Sequence, residues 1–372
     1  MSGKIEHLVK QYRTREELSQ RGVWRGELYR PEELRYFERG WCWKTLLLGE
    51  EDDLVTNLES VQIGDEPVRE RDSREMSGVR RLTPVTAISH PLEVDDDPLK
   101  ENIPLEDTLD IVRLDVDRLL LDPVFANEAT KEEMIKILYN YVLENETSYK
   151  QGYHEICGAV YLQMRKEDAE ARTVNTFNIF NKLMSRIRPV FYEEEALLKW
   201  SRERFDAIFK CTAPKLYELL VKHHGMDNTV WLIRWSRLLF LRELELGYAL
   251  RIWDHLLTFS YPLADLVACT IVVMLIVISQ ELHTCEDQGE VISLLLHYPP
   301  EKLIDCTDLM KYSASLYELF ASRQYEDMYG VGQTLSKIYN RDWYDKIAAV
   351  PDQNRLRLEE RLKRRVEMRL KK

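Results

Sequence analysis

The chain has 372 residues, 45% of them apolar, and a formal net charge of −12. That is enough material for one large domain or two, each with a substantial core, and it excludes a disordered chain. No basic stripe precedes the C-terminal tail, which excludes a dominant nucleic-acid role.

Residues 1–48 open with a polar, charged stretch, Met1 to Arg15, lacking the apolar core a signal peptide requires, so the chain is expected to stay in the cytosol. Leu34 to Gly49 is rich in aromatics and leucines and stops at a glycine, as a helix C-terminus does. Residues 49–107 break the pattern with Asp95-Asp96-Asp97 and scattered prolines, and read as an acidic insertion. Between Gly49 and Asp110 there are eighteen acidic and six basic residues, so the rest of the chain is close to neutral. The insertion is either a solvated linker or a regulatory acidic arm.

Residues 108–345 read as the main helical domain. Thr108 to Leu121 has helical character until Pro123, and Lys131 to Leu143 carries an amphipathic face of Met134, Ile137, Leu138, Tyr141 and Val142. Next, Gln151-Gly152 stands directly before a run whose large apolar residues, Tyr149, Tyr153, Ile156 and Val160, recur at helical spacing. Gln151 lies off that stripe, where an amide either caps the backbone or both donates and accepts towards a ligand.

Further helices are expected at 169–187, 192–209, 214–223, 228–241, 245–259, 264–282 and 289–297. The most apolar run, Leu266 to Ile278, is thirteen residues long, short of the roughly twenty that cross a bilayer. Residues 346–372 form a basic, helix-prone tail, either a solvated terminal helix or a contact for an acidic membrane surface or a coiled-coil partner. Strand-like alternation is scarce, and the expected fold class is all-α without a fixed repeat.

Several chemistries fail. The six cysteines form no Cys-x-x-Cys pair, which fits reduced thiols rather than a zinc ribbon or disulfide framework. His154-Glu155 begins a zinc-protease pattern, but the second histidine position is Gly158. There is no Gly-x-Ser-x-Gly elbow and no phosphate-binding Gly-x-x-x-x-Gly-Lys loop. Cys157 beside His154 reads as a core thiol.

Two other blocks raise the weight of Gln151. Asp115 and Arg118, three apart, share a helical face, where a carboxylate can orient a guanidinium. Arg251-Ile252-Trp253-Asp254, preceded by the Trp231 to Glu243 run, embeds charges among tryptophans, which calls for buried partners.

In this order, the blocks resemble the TBC domain, the module of most Rab GTPase-activating proteins. Val112, Asp115 and Arg118 match its Ile-x-x-Asp-x-x-Arg with Val for Ile, and Leu119 replaces the Thr that usually follows. Tyr149-Lys150-Gln151 matches Tyr-x-Gln, and Arg251-Ile252-Trp253-Asp254 matches Arg-x-Trp-Asp. Upstream, Leu34-Arg35 and Trp43 to Gly49 resemble the family's opening pattern. Coverage runs from about Val23 to about Phe320.

The resemblance implies a two-lobed multi-helix TBC domain that is not itself the enzyme but completes the site of a Rab-family GTPase in its GTP state. Arg118 would be an arginine finger and Gln151 a glutamine finger, with Asp115 orienting Arg118 and Tyr149 fixing the loop of Gln151. Arg251, Trp253 and Asp254 would support them. GTP and Mg²⁺ would arrive with the Rab, leaving no cofactor or metal site here. The resemblance also implies vesicle transport at Golgi or endosomal membranes, with at most peripheral membrane contact. Within the family, the Gln-Gly-Tyr-His-Glu-Ile wording looks most like the branch of fungal activators of the Ypt-six Rab and a retromer-associated animal relative. The alternative is a TBC-fold scaffold that binds Rabs or trafficking complexes without catalysis.

Overall fold

The computed structural model describes residues 3–48, 105–258 and 262–341. The expected insertion, 49–107, lies almost wholly outside the described residues, and the tail, 346–372, lies wholly outside them. The described residues are predominantly helical, with no strand among them, so the fold is all-α. The main helices are α1 (Gly3–Gln11), α2 (Arg39–Leu48), α3 (Leu105–Asp117), α4 (Glu128–Glu144), α5 (Tyr153–Met164), α6 (Ala169–Phe191), α7 (Asp206–Thr212), α8 (Asn228–Arg237), α9 (Leu246–Thr258), α10 (Leu263–Val277), α11 (Cys306–Ala321) and α12 (Tyr325–Tyr339). None is long and apolar enough to cross a membrane.

The chain divides into two compact units: Met1–Ser201 with Asn228–Ala264, and Arg202–Asp227 with Asp265–Lys372. In the first, α4, α5 and α6 pack on one another, α3 lies on α4 and α5, and α2 lies against α5, α6 and α9. Its core is unusually aromatic, with Trp43, Trp231, Trp235, Trp253, Tyr141, Tyr153 and Phe180 all fully buried. Rings of that size bury the most apolar area per residue, and their edge-to-face contacts, such as Tyr141 on Phe180, fix orientation as well as volume. In the second unit, α12 packs on α7 and α11, and an Arg204–Asp265 ion pair joins two of its segments.

Local chemistry sets the helix ends. Asn127 caps α4 by accepting from the Ala129 amide at 2.9 Å, and Asp168 caps α6 through the Ala171 amide at 3.0 Å. Past α4, Glu146 adopts φ 47°, and the Thr147 amide donates back to the Val142 carbonyl at 3.2 Å. This left-handed closure turns the chain towards Tyr149.

Several expected boundaries move. The helix expected over 108–121 ends at Asp117, where the Arg118 and Leu119 amides close three-residue turns onto Asp115 and Val116. Asp122 then caps a short turn at Pro123–Ala126 through the Val124 amide. The helix expected over 228–241 stops at Arg237, because Leu239 and Phe240 take φ values of 45° and 71° that no α-helix contains. Ile278 interrupts the stretch expected over 264–282, and the helical winding expected over 192–209 widens at Trp200–Phe205. Helices α11 and α12 lie beyond the stretches read individually from the sequence.

Candidate functional site

A cleft of about 330 Å³ opens on the first unit. One wall is the turn after α3, with Arg118 and Leu119 to Leu121; another is the turn before α5, with Gln151, and the first turn of α5, with His154 and Glu155; Leu241 and Arg242 complete it. Arg118 and Gln151, thirty-three positions apart in sequence, therefore face the same space.

Both turns are shaped by glycine. Gly152 has φ +101°, and a Cβ there would come within 2.9 Å of Leu238 Cδ2, so this turn requires glycine twice over. It puts Gln151 outside the helix, exposed, just ahead of α5. On α5 itself, a Cβ at Gly158 would meet Leu119 Cδ2 at 2.8 Å. The missing side chain lets Leu119 seat against the helix, which fixes the Arg118 turn.

Arg118 is exposed, and among the described residues its guanidinium makes no hydrogen bond or ion pair. Asp115 does not clamp it in the way its spacing suggests. The Asp115 carboxylate instead accepts from Tyr149 Oη at 3.0 Å and lies 3.2 Å from His154 Nδ1, while Arg118 acts on it through space. Burial works against ionisation of Asp115, but His154, Tyr149 and Arg118 outweigh it and hold the carboxyl below its usual range. Burial, with Asp115 beside it, pushes the Tyr149 hydroxyl well above its usual range, so it stays a donor. Tyr149 thus ties the Gln151 turn to the end of α3, and Asp115 is the point of attachment.

Arg251, Trp253 and Asp254 are not at the cleft. Asp254, almost wholly buried on α9, accepts from Arg39 Nε at 2.9 Å, Trp43 Nε1 at 2.7 Å and Tyr29 Oη at 3.0 Å. Burial disfavours the Arg39 charge, but Asp254 more than offsets it and raises the guanidinium's proton affinity. Arg251 lies over the Tyr29 ring, 4.6 Å from its centroid. Trp253 stacks on Trp43 at 5.9 Å and donates to the Leu239 carbonyl at 2.9 Å, which the left-handed bend at Leu239 and Phe240 presents. That bend leads into Leu241 and Arg242, so the motif braces the cleft from behind.

Sequence reading missed three residues of the cleft. Arg242 donates through Nε and Nη2 to both oxygens of Glu155, at 2.9 and 2.6 Å, so a second guanidinium stands near Arg118 in a fixed orientation. His154 and Glu155 come just after the Gln-Gly pair, past Tyr153, which was the available signal. Among the described residues, no three His, Cys, Asp or Glu side chains are grouped to hold a metal ion.

A model of the Rab-GTPase-TBC domain, RabGAP-TBC, matches residues 39–283, about two thirds of the chain. The chain belongs to this family. The match begins at Arg39, the ligand of Asp254, and takes in both walls of the cleft. Among curated proteins, growth hormone-regulated TBC protein 1 of Xenopus tropicalis is 29% identical over 154 residues, covering 40% of this chain and 43% of that protein. Its Xenopus laevis counterpart is 30% identical over 154 residues, with the same coverage of each chain. The chain thus spans less than half the length of these curated relatives. The crystal structure of the Ypt/Rab-GAP domain of Gyp1p is similar with a TM-score of 0.53 and 18% identity, covering 59% of this chain and 76% of that one. At that identity the likeness concerns the fold, and it agrees with an all-α TBC domain.

Proposed function

We propose that this TBC domain is a GTPase-activating protein for a Rab-family GTPase in its GTP state, supplying Arg118 and Gln151 in trans. The observation that carries the reading is the shared cleft: an exposed guanidinium with no partner among the described residues faces the same space as an exposed amide. GTP hydrolysis spreads negative charge over the transferring phosphoryl group, and a placed guanidinium stabilises it far better than mobile water. The attacking water must also be held in line, and the Gln151 amide can accept from it while donating to a phosphate oxygen. Asp115, Tyr149 and His154 hold the two turns in register, and Arg251, Trp253 and Asp254 stiffen the frame behind them. GTP and Mg²⁺ belong to the Rab. We further propose a role in vesicle transport on the cytoplasmic face of Golgi or endosomal membranes, within the Ypt-six and retromer-associated branch that the wording around Gln151 resembles.

The test is GTP hydrolysis by a panel of purified Rabs with and without this protein. At least one Rab should be accelerated, and Arg118→Ala should remove about 10³-fold or more of that acceleration. Rabs that bind without acceleration would favour the scaffold reading instead.

A further inference from the structure

Leu120 is 93% exposed, two residues after Arg118 and on the wall of the same cleft. Single exposed leucines are ordinary on protein surfaces. This one is held out: Leu119 before it is buried against Gly158, and Leu121 after it is partly buried, so the turn fixes Leu120 in water. It is also not isolated. Among the described residues, three of the eight large apolar side chains that stand exposed, Ile111, Leu114 and Leu120, fall within residues 111–120. Ile111 and Leu114 share one face of α3, and a further step of four reaches Arg118. The apolar stripe therefore leads to the finger.

We propose that Leu120, together with the exposed Leu114 of α3, is the apolar anchor by which this domain binds the surface of the GTP-bound Rab beside its nucleotide. The inference rests on the function proposed above for Arg118 and Gln151. The occupant follows from continuity with the cleft: whatever brings a γ-phosphate to Arg118 must pass over Leu120, and covering it removes a whole leucine from water. A polar residue there would serve the isolated fold as well, since Leu120 contributes almost nothing to the core. Burying one leucine corresponds to roughly 10- to 100-fold in affinity. Leu120 would thus set how tightly the Rab is held, while Arg118 sets how fast the bound complex reacts.

The experiment measures binding of the full chain to the same panel of Rabs loaded with a non-hydrolysable GTP analogue, beside hydrolysis as a function of activator concentration. Leu120→Ser should raise the dissociation constant and the half-saturating concentration at least 10-fold, with an unchanged thermal unfolding midpoint, and Leu120→Met should restore both. Arg118→Ala should instead lower the saturating rate. Binding that weakens in Leu120→Ser, with no Rab's hydrolysis accelerated by the wild-type chain, would sustain the anchor and remove the activator reading. Unchanged binding by Leu120→Ser, or no Rab bound at all, would overturn the anchor.

Discussion

At the scale of single residues, the two sides of the cleft demand different things of the fold. Asp115 and Tyr149 are buried and hydrogen-bonded, and their loss disturbs structure as well as activity. Gln151 is exposed on a turn whose shape comes from Gly152, so its side chain is free to serve a partner. Gln151→Ala should lower stimulated hydrolysis by about 10²- to 10³-fold, the usual cost of removing one preorganised polar group from a reacting centre. Its thermal unfolding midpoint should match that of the wild-type chain. A lowered midpoint with stimulation intact would make Gln151 a structural cap, the other role its sequence position allows.

At the scale of elements, the Arg118 turn is positioned by how closely α5 lets Leu119 approach. A methyl at Gly158 would sit 2.8 Å from Leu119 Cδ2 and 3.3 Å from Leu121 Cδ1 and Phe125 Cζ. Overpacking of this kind costs about 1–3 kcal/mol, and a shift of about 1 Å at a reacting group costs on the order of 10²-fold in rate. Gly158→Ala should therefore lower both the unfolding midpoint and the stimulated rate, and adding Leu119→Ala should recover part of each through relief of the same contact. Strictly additive effects in that cycle would show that the contact does not place the turn.

The same elements mark what was legible in the sequence. The helical period of α4 was readable because one face packs on the core, whereas α5 is buried on nearly every side and was legible from its recurring large apolar residues. The order of the Asp115, Gln151 and Asp254 blocks was readable because it resembles a family pattern. The end of α8 was not, since no glycine or proline marks the bend at Leu239 and Phe240, whose left-handed conformations present the Leu239 carbonyl to Trp253, fourteen positions on. Nor was the partner of Asp115: spacing along one helix pointed to Arg118, whereas Tyr149 reaches it from the segment before α5 and His154 from α5 itself. Long-range hydrogen bonds of this kind leave no period to read.

At the scale of the whole molecule, the formal charge of −12 lies with residues 49–110, and two buried carboxylates elsewhere in the first unit, Asp115 and Glu243, couple its stability to pH with opposite signs. Asp115, with its proton affinity lowered, contributes stability that is present above the ordinary carboxylate range and lost as the pH falls through it. Glu243 has the opposite sign. Its side chain is fully buried with Arg234 Nε at 2.6 Å, yet burial outweighs the arginine and pushes the carboxyl from 4.5 up to about 7. Between those values the folded unit keeps a proton that the unfolded chain has released, so this contribution is complete below the lower value and lost as the pH rises through the upper one. The full loss is of order 3 kcal/mol. Denaturant unfolding from pH 5 to 8 should show the wild-type unit losing stability with rising pH, while Glu243→Gln, which cannot ionise, stays nearly level. The two should be similar at pH 5, with the variant more stable by about 1–3 kcal/mol at pH 8. Parallel profiles would mean that Arg234 keeps Glu243 ionised across the whole range, and the buried pair would then be a permanent brace for the Arg242 turn rather than a source of pH dependence.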